Sequence, residues 1–370
     1  MTIKFSNAVG GRKKPLNLSS LFLFHPDCIL KLSGLSTSGL MNEAGFESFY
    51  KRMQKQADDT ATLQLAHEMS QKIPHIPKDL IAAINGYVEA QAYYEKIGLW
   101  EIFGKSINSP LDEGKWPQQL KFHIGIERET YQPRILFHQQ QYDEAVALLL
   151  KSPLVQLLLW PEAIDILNSR SSLDDLLPLR VLVALEMVMS LLAGMDAEVC
   201  HLLSKPNSLV LDVLPTTLTG DKNPTSLFFG WIKKQIGLTT ISAILDAHAE
   251  KSSELALDES LLKRWSNGSH MPSEKVLRGF LEPFFDDPEA KDIWMRHYGT
   301  KCLTFIGYQI QQISNSATTT DILKDALRPW PDMPFGFKSI ETWFENRYPY
   351  WFDYHREQIE GEGNIPSPKI

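Results

Sequence analysis

A helix that stops on glycine and restarts on proline constrains this chain more than any other feature. From Leu257 to Gly268 the residues are Leu-Asp-Glu-Ser-Leu-Leu-Lys-Arg-Trp-Ser-Asn-Gly, and Ser-His-Met-Pro-Ser273 follows. Asp258 is a good N-cap, because its side-chain oxygen can accept from the amides of the first turn. Leu261, Leu262 and Trp265 then form one apolar face. Glu259, Ser260, Lys263 and Arg264 face outward, with Glu259–Lys263 a favourable i,i+4 pair. Asn267-Gly268 ends the helix by the left-handed route. Pro272-Ser273 opens a second amphipathic helix with Val276, Leu277, Phe280 and Leu281 on its apolar face and Phe284 one turn on.

Helical spacing recurs along most of the chain. Phe46, Phe49, Tyr50 and Met53 repeat at three and four, as do Leu63, Leu65, Ala66 and Met69. Ile81–Phe103, Tyr142–Leu150, Leu154–Asn168, Leu173–Gly194 and Ala197–Leu203 continue the pattern. Residues 104–134 hold Gly, Pro and charge and predict a long irregular connection. Lys205–Pro224, with Gly220 and several prolines, is the best linker. No 34-residue repeat follows the Tyr142–Leu150 segment. The expected fold class is mainly α: a multi-helix body with an embedded, divergent helix-turn-helix module. The expected divisions are a flexible basic arm at 1–20, an N-terminal helical region at 21–135 and a central one at 136–215. A module with its following long helix takes 225–315, and an aromatic-rich C-terminal segment takes 316–370.

The Leu257–Pro272 order resembles the Cro/CI-like, or Xre-type, helix-turn-helix family. The matching residues are Leu257, Asp258, Ser260, Leu262, Arg264, Trp265, Asn267, Gly268 and Pro272. The resemblance is local, over about 238–285. It implies that Glu259, Ser260 and Lys263 face base edges, and that Arg264, Asn267, Ser269 and His270 lie nearer phosphates, with Lys275 beside them. The first helix of the motif would be Leu238–Leu245. The polar run after it, up to Leu255, is longer than the family's turn and makes the module divergent.

Charge and composition bound the partners. The net charge of -8 excludes a protein that coats nucleic acid over its whole surface, and leaves room for one local contact face. From Asp258 to Arg278, Lys263, Arg264, Lys275 and Arg278 outnumber Asp258, Glu259 and Glu274 by one charge. A homodimer, or the basic arm at Lys4, Arg12, Lys13 and Lys14, would add the phosphate contacts this face lacks. Cys28, Cys200 and Cys302 form no CxxC or Cys/His cluster, which points away from zinc and disulfides and toward a reducing cytoplasm. No apolar h-region follows the basic N-terminus, so no signal peptide is expected. The most apolar run, Leu176–Met195, contains Arg180 and Glu186. Each would cost roughly 2.5–3.5 kcal/mol at bilayer depth, so a buried helix is expected and no membrane span.

Enzyme motifs are poor. His25-Pro-Asp-Cys28 sets a base beside a nucleophile, but adjacency in sequence is not triad geometry. Asp112-Glu113-Gly-Lys115 has nuclease-like lettering in a Pro/Gly loop. Asp353, His355 and Glu357 sit at i, i+2 and i+4 and do not converge on one metal. No catalytic, metal or cofactor residue is assigned. Trp330, Phe335, Phe337, Trp343, Phe344, Tyr348, Tyr350, Trp351, Phe352 and Tyr354 make the C-terminus aromatic-dense, which suits docking on the helical body better than stacking of bases. The leading expectation is a cytoplasmic, bacterial or phage-like DNA-binding protein of transcriptional regulation or mobile-element biology, without cofactor. The alternative is a helical adaptor or assembly subunit using the same surfaces for protein–protein contact. A third reading, an enzyme, requires a pocket around His25 and Asp27.

Overall fold

The first helix with described bounds begins where the sequence predicts a loop. In the computed structural model, α1 (Gln118–His138) runs 21 residues with Pro133 inside it. Its proline lacks an N–H and cannot bond the carbonyl of Glu129, yet Leu120, Phe122, Ile124, Ile126, Leu136 and Phe137 are buried and hold the helix. Burial thus outweighs Gly125 and Pro133 in the 118–134 part of the expected connection, whose residues 104–117 lie outside the described residues. The described residues are 18, 20–24, 32, 118–159, 161–169, 176–251, 258–287, 290–315 and 340–361. Among them are 11 α-helices and no strand, and 75% of that part is helical, which is the mainly α, multi-helix body expected.

The described residues fall into two compact units, divided between Met187 and Val188. In the first, α1 packs on α2 (Tyr142–Lys151) and on the short α3 (Pro153–Gln156), and α2 touches α4 (Pro161–Ser169). Ser152 caps α3 by accepting from the Val155 amide at 3.0 Å. The single helix expected at Leu154–Asn168 is therefore two, each opened by a proline at its first position. His123 is buried on α1 with Nδ1 2.7 Å from the Gln119 carbonyl, and burial pulls its pKa down to about 4.

α5 (Leu177–Leu202) is one helix of 26 residues, where two were expected on either side of Gly194. Glycine in a helix interior costs about 1 kcal/mol. The continuous burial from Val181 to Ala193 more than offsets it. No described helix is long and apolar enough to cross a membrane.

In the second unit, the end of α5 meets residues 205–224, the segment read as a linker. The structure gives it a 3-10 turn, Val210–Val213, which buries Val210 and Val213 and is built around Asp196. One Asp196 oxygen accepts from the Leu209 amide at 3.1 Å. The other accepts from Tyr348 at 2.8 Å, from the Val210 amide at 3.4 Å and from the Ser208 hydroxyl. Tyr348 belongs to α11 (Ile340–Glu360), whose Trp343, Phe344, Trp351 and Phe352 are also buried. The described part of the aromatic C-terminus is thus largely core.

Five described helices lie between Asn223 and α11: α6 (Pro224–Ile236), α7 (Ile241–Lys251), α8 (Glu259–Ser266), α9 (Glu274–Leu281) and α10 (Lys291–Asn315). α6 packs on α8, α10 and the 3-10 turn, and α7 packs on α8. Gly299 is where α10 meets the turn: a Cβ there would lie 2.8 Å from Val210 Cγ2. Arg296 of α10 closes the same seam, donating to Asp212 at 2.7 and 2.9 Å and lying 4.3 Å from the Trp231 ring.

Candidate nucleic-acid interface

α8 has an apolar side of two residues, and both are sealed. Leu262 is 0% and Trp265 1% exposed. The indole stands edge-on to Phe229 of α6 at 5.9 Å and to Phe280 of α9 at 5.3 Å. His248 of α7 stacks on Phe280 at 6.1 Å. α7 begins and ends later than the expected Leu238–Leu245 helix. Its polar continuation is explained by His248, a buried ring doing the packing of an apolar residue. Residues 252–257, which hold the lengthened turn and Leu257, lie outside the described residues.

Local chemistry fixes both ends of α8. Asp258 Oδ1 accepts from the Leu261 amide at 2.6 Å and from the Ser260 hydroxyl at 2.5 Å. Those bonds, Ser260 first, hold the Asp258 carboxyl below its usual pKa. At the other end Gly268 has φ +72°, and its amide donates to the Trp265 carbonyl at 3.1 Å. The His270 amide and Ser269 hydroxyl donate to the Arg264 carbonyl at 3.3 and 3.5 Å. The turn then delivers α9, whose entry is anchored to α10. His297 Nε2 donates to the Pro272 carbonyl at 3.2 Å, and Lys301 pairs with Glu274 at 2.7 Å. Burial, then the nearby Lys301 charge, lowers the His297 pKa to about 3, so the ring is neutral.

The outward residues of α8 are where the sequence puts them. Glu259, Ser260, Lys263, Arg264 and Asn267 are exposed, as are Ser269 in the turn and Lys275 on α9, while His270 is half-buried. The structure brings Glu259 and Lys263 together at 2.8 Å. It turns the Ser260 hydroxyl back onto the cap, and it engages Asn267 Oδ1 with the Ser269 amide at 3.0 Å. Ser260 and Asn267 are therefore committed locally, which the family resemblance alone does not reveal. Lys234 at the end of α6 and Arg278 on α9 are exposed cations of the same module that sequence reasoning left out of the site. The Lys233-Lys234 pair before Gly237 was the available signal, since cations gather at helix C-termini.

Asn223 was also missed. Asn-Pro before a helix signals an N-cap with proline at the first position. Its second contact, to Gly268, lies 45 residues away and leaves no local mark. Lys4, Arg12, Lys13, Lys14, His25, Asp27, Cys28, Asp112, Glu113 and Lys115 lie outside the described residues, as do Trp330, Phe335 and Phe337. Asp353 and Glu357 are exposed, with Asp353 paired to Arg356 at 2.9 Å, while His355 is buried against the Ser190 hydroxyl at 2.9 Å. Among the described residues no group of three acidic, His or Cys side chains could hold a metal ion. Comparison of the chain with protein-family models, with curated proteins and with solved structures finds no match.

Proposed function

We propose that this chain binds duplex DNA through the outer face of α8. The observation that carries this reading is the division of that short helix. Its apolar side is locked against Phe229 and Phe280, and its Glu259–Asn267 side stands in solvent. A recognition element needs a rigid back and a clear front, because orientational freedom lost on binding weakens affinity. Lys263 and Arg264 are the main phosphate and base contacts, with Lys275 and the turn at Asn267–His270 as flanking contacts. The role is sequence-specific control of transcription or of a mobile element, in the cytoplasm. A homodimer would compensate for the single net charge of this face.

The test is a mobility-shift titration of the full chain on random-sequence duplex across salt. Lys263→Ala with Arg264→Ala lowers affinity and reduces the salt slope by roughly 0.9, for the one phosphate contact removed with Arg264. Binding unchanged by the double substitution rejects the assignment.

Trp294 of α10 is 39% and Leu211 of the 3-10 turn 45% exposed, which favours a second reading as an adaptor or assembly subunit. That reading expects a stable complex with another protein and no salt-sensitive retention on DNA.

A further inference from the structure

Glu259 and Lys263 point the same way from α8, 2.8 Å apart, with side chains 62% and 61% exposed. An ammonium has three N–H donors and no acceptor, and a carboxylate only accepts. With one N–H directed at Glu259, two donors of Lys263 remain, and beside them an accepting carboxylate oxygen. The pair therefore presents donor, donor, acceptor in a row. In the major groove a G·C pair shows two adjacent acceptors, guanine N7 and O6, and then the cytosine amino donor. An A·T pair shows acceptor, donor, acceptor. Only the first pattern is complementary to the pair.

We propose that Glu259 and Lys263 together read one C·G base pair, the ammonium on guanine and the carboxylate on cytosine. This rests on α8 entering the major groove as set out above. It also gives the Glu259 carboxylate at the start of α8 a partner in the groove. Among phosphates a carboxylate only repels, whereas on the cytosine amino group it has a partner. Ser260 and Asn267 are held by Asp258 and Ser269, whereas Glu259 and Lys263 bond only to each other and keep their remaining donors and acceptors toward solvent.

The experiment selects duplexes from a randomised library with the full chain. It then titrates the selected duplex and a copy with the C·G pair changed to A·T, using wild type, Glu259→Gln and Lys263→Ala. Both substitutions sit on an exposed surface, and their melting curves check folding. Wild type is expected to fix one C·G pair and to lose roughly 5- to 150-fold on the A·T copy. In Glu259→Gln the discrimination collapses or turns toward A·T, because an amide offers the donor and acceptor that adenine takes. Selected sites without a fixed C·G pair, or full discrimination retained by Glu259→Gln, overturn the proposal. Salt-sensitive binding with flat base preference removes this inference alone. No salt-sensitive binding removes the DNA reading with it.

Discussion

The Asn223 amide holds two helices at once: its Nδ2 donates to the Gly268 carbonyl at 3.1 Å, and its Oδ1 accepts from the Ser226 amide at 3.0 Å. The start of α6 and the end of α8 are thereby tied through one side chain that is itself buried.

Gly268 has two reasons to be glycine. Its φ of +72° is left-handed, and a Cβ there would overlap the Asn223 amide. Gly268→Ala is expected to cost about 1–2 kcal/mol for the backbone alone, and more through displacement of Asn223. Asn223→Asp separates the two roles, because a carboxylate still caps α6 but cannot donate to Gly268. Urea midpoints are the readout. An Asn223→Asp variant as stable as wild type would show that the bridge contributes nothing.

Trp265 Nε1 is buried and finds no acceptor among the described residues. Its ring contacts outweigh that orphan donor. Trp265→Ala opens a cavity beneath α8 and is expected to cost about 3–5 kcal/mol. Trp265→Phe keeps an aromatic ring between Phe229 and Phe280 and deletes the unpaired N–H, whose burial costs about 1–3 kcal/mol. It should therefore lose less than half as much as the alanine variant in chemical denaturation. Equal losses would mean that the indole ring size, not its stacking, sets the stability.

Periodicity carries the α class and the two helices α8 and α9, and the cap and stop of α8 are legible because Asp258 and Gly268 act on neighbours a few residues away. It fails where distant partners decide. Pro133 reads as a breaker but is held by burial along α1, and Gly194 reads as a stop but lies within α5. The prolines around Gly220 mask an ordered turn, because the Asp196 carboxylate that organises it comes from another helix. The outward face of α8 was legible; the commitment of Ser260 to its cap and of Asn223 to Gly268 was not.

Asp196 is a buried carboxylate that keeps its place through donors. Burial raises its pKa, and the bonds from Ser208, Tyr348 and the Leu209 and Val210 amides pull it back. Tyr348→Phe removes the 2.8 Å donor without changing ring volume. A hydrogen bond to a charged group is worth about 1.5–3 kcal/mol, and that is the expected loss in thermal or urea unfolding at pH 7. An unchanged midpoint would place the anchor of α11 in its aromatic rings alone.

Acid should weaken the protein through its buried histidines. His297 stays neutral in the fold down to about pH 3 and His123 to about pH 4, whereas both take up a proton near 6.5 when unfolded. Between these values the unfolded chain binds more protons. Stability is therefore full above about pH 6.5 and falls as pH drops toward 3, by about 1.4 kcal/mol per pH unit for each histidine. Asp196 acts with the opposite sign, since its raised pKa means that stability is gained as pH falls toward its ordinary 3.8. Two histidines oppose one carboxylate, so the net limb between pH 6.5 and 5 should slope downward with acid. His297→Gln cannot be protonated and loses the ring contact with Phe228 at 5.6 Å. It should be less stable than wild type at pH 7.5, yet show a shallower acid limb in unfolding midpoints. A His297→Gln slope as steep as wild type would assign the acid sensitivity to other groups.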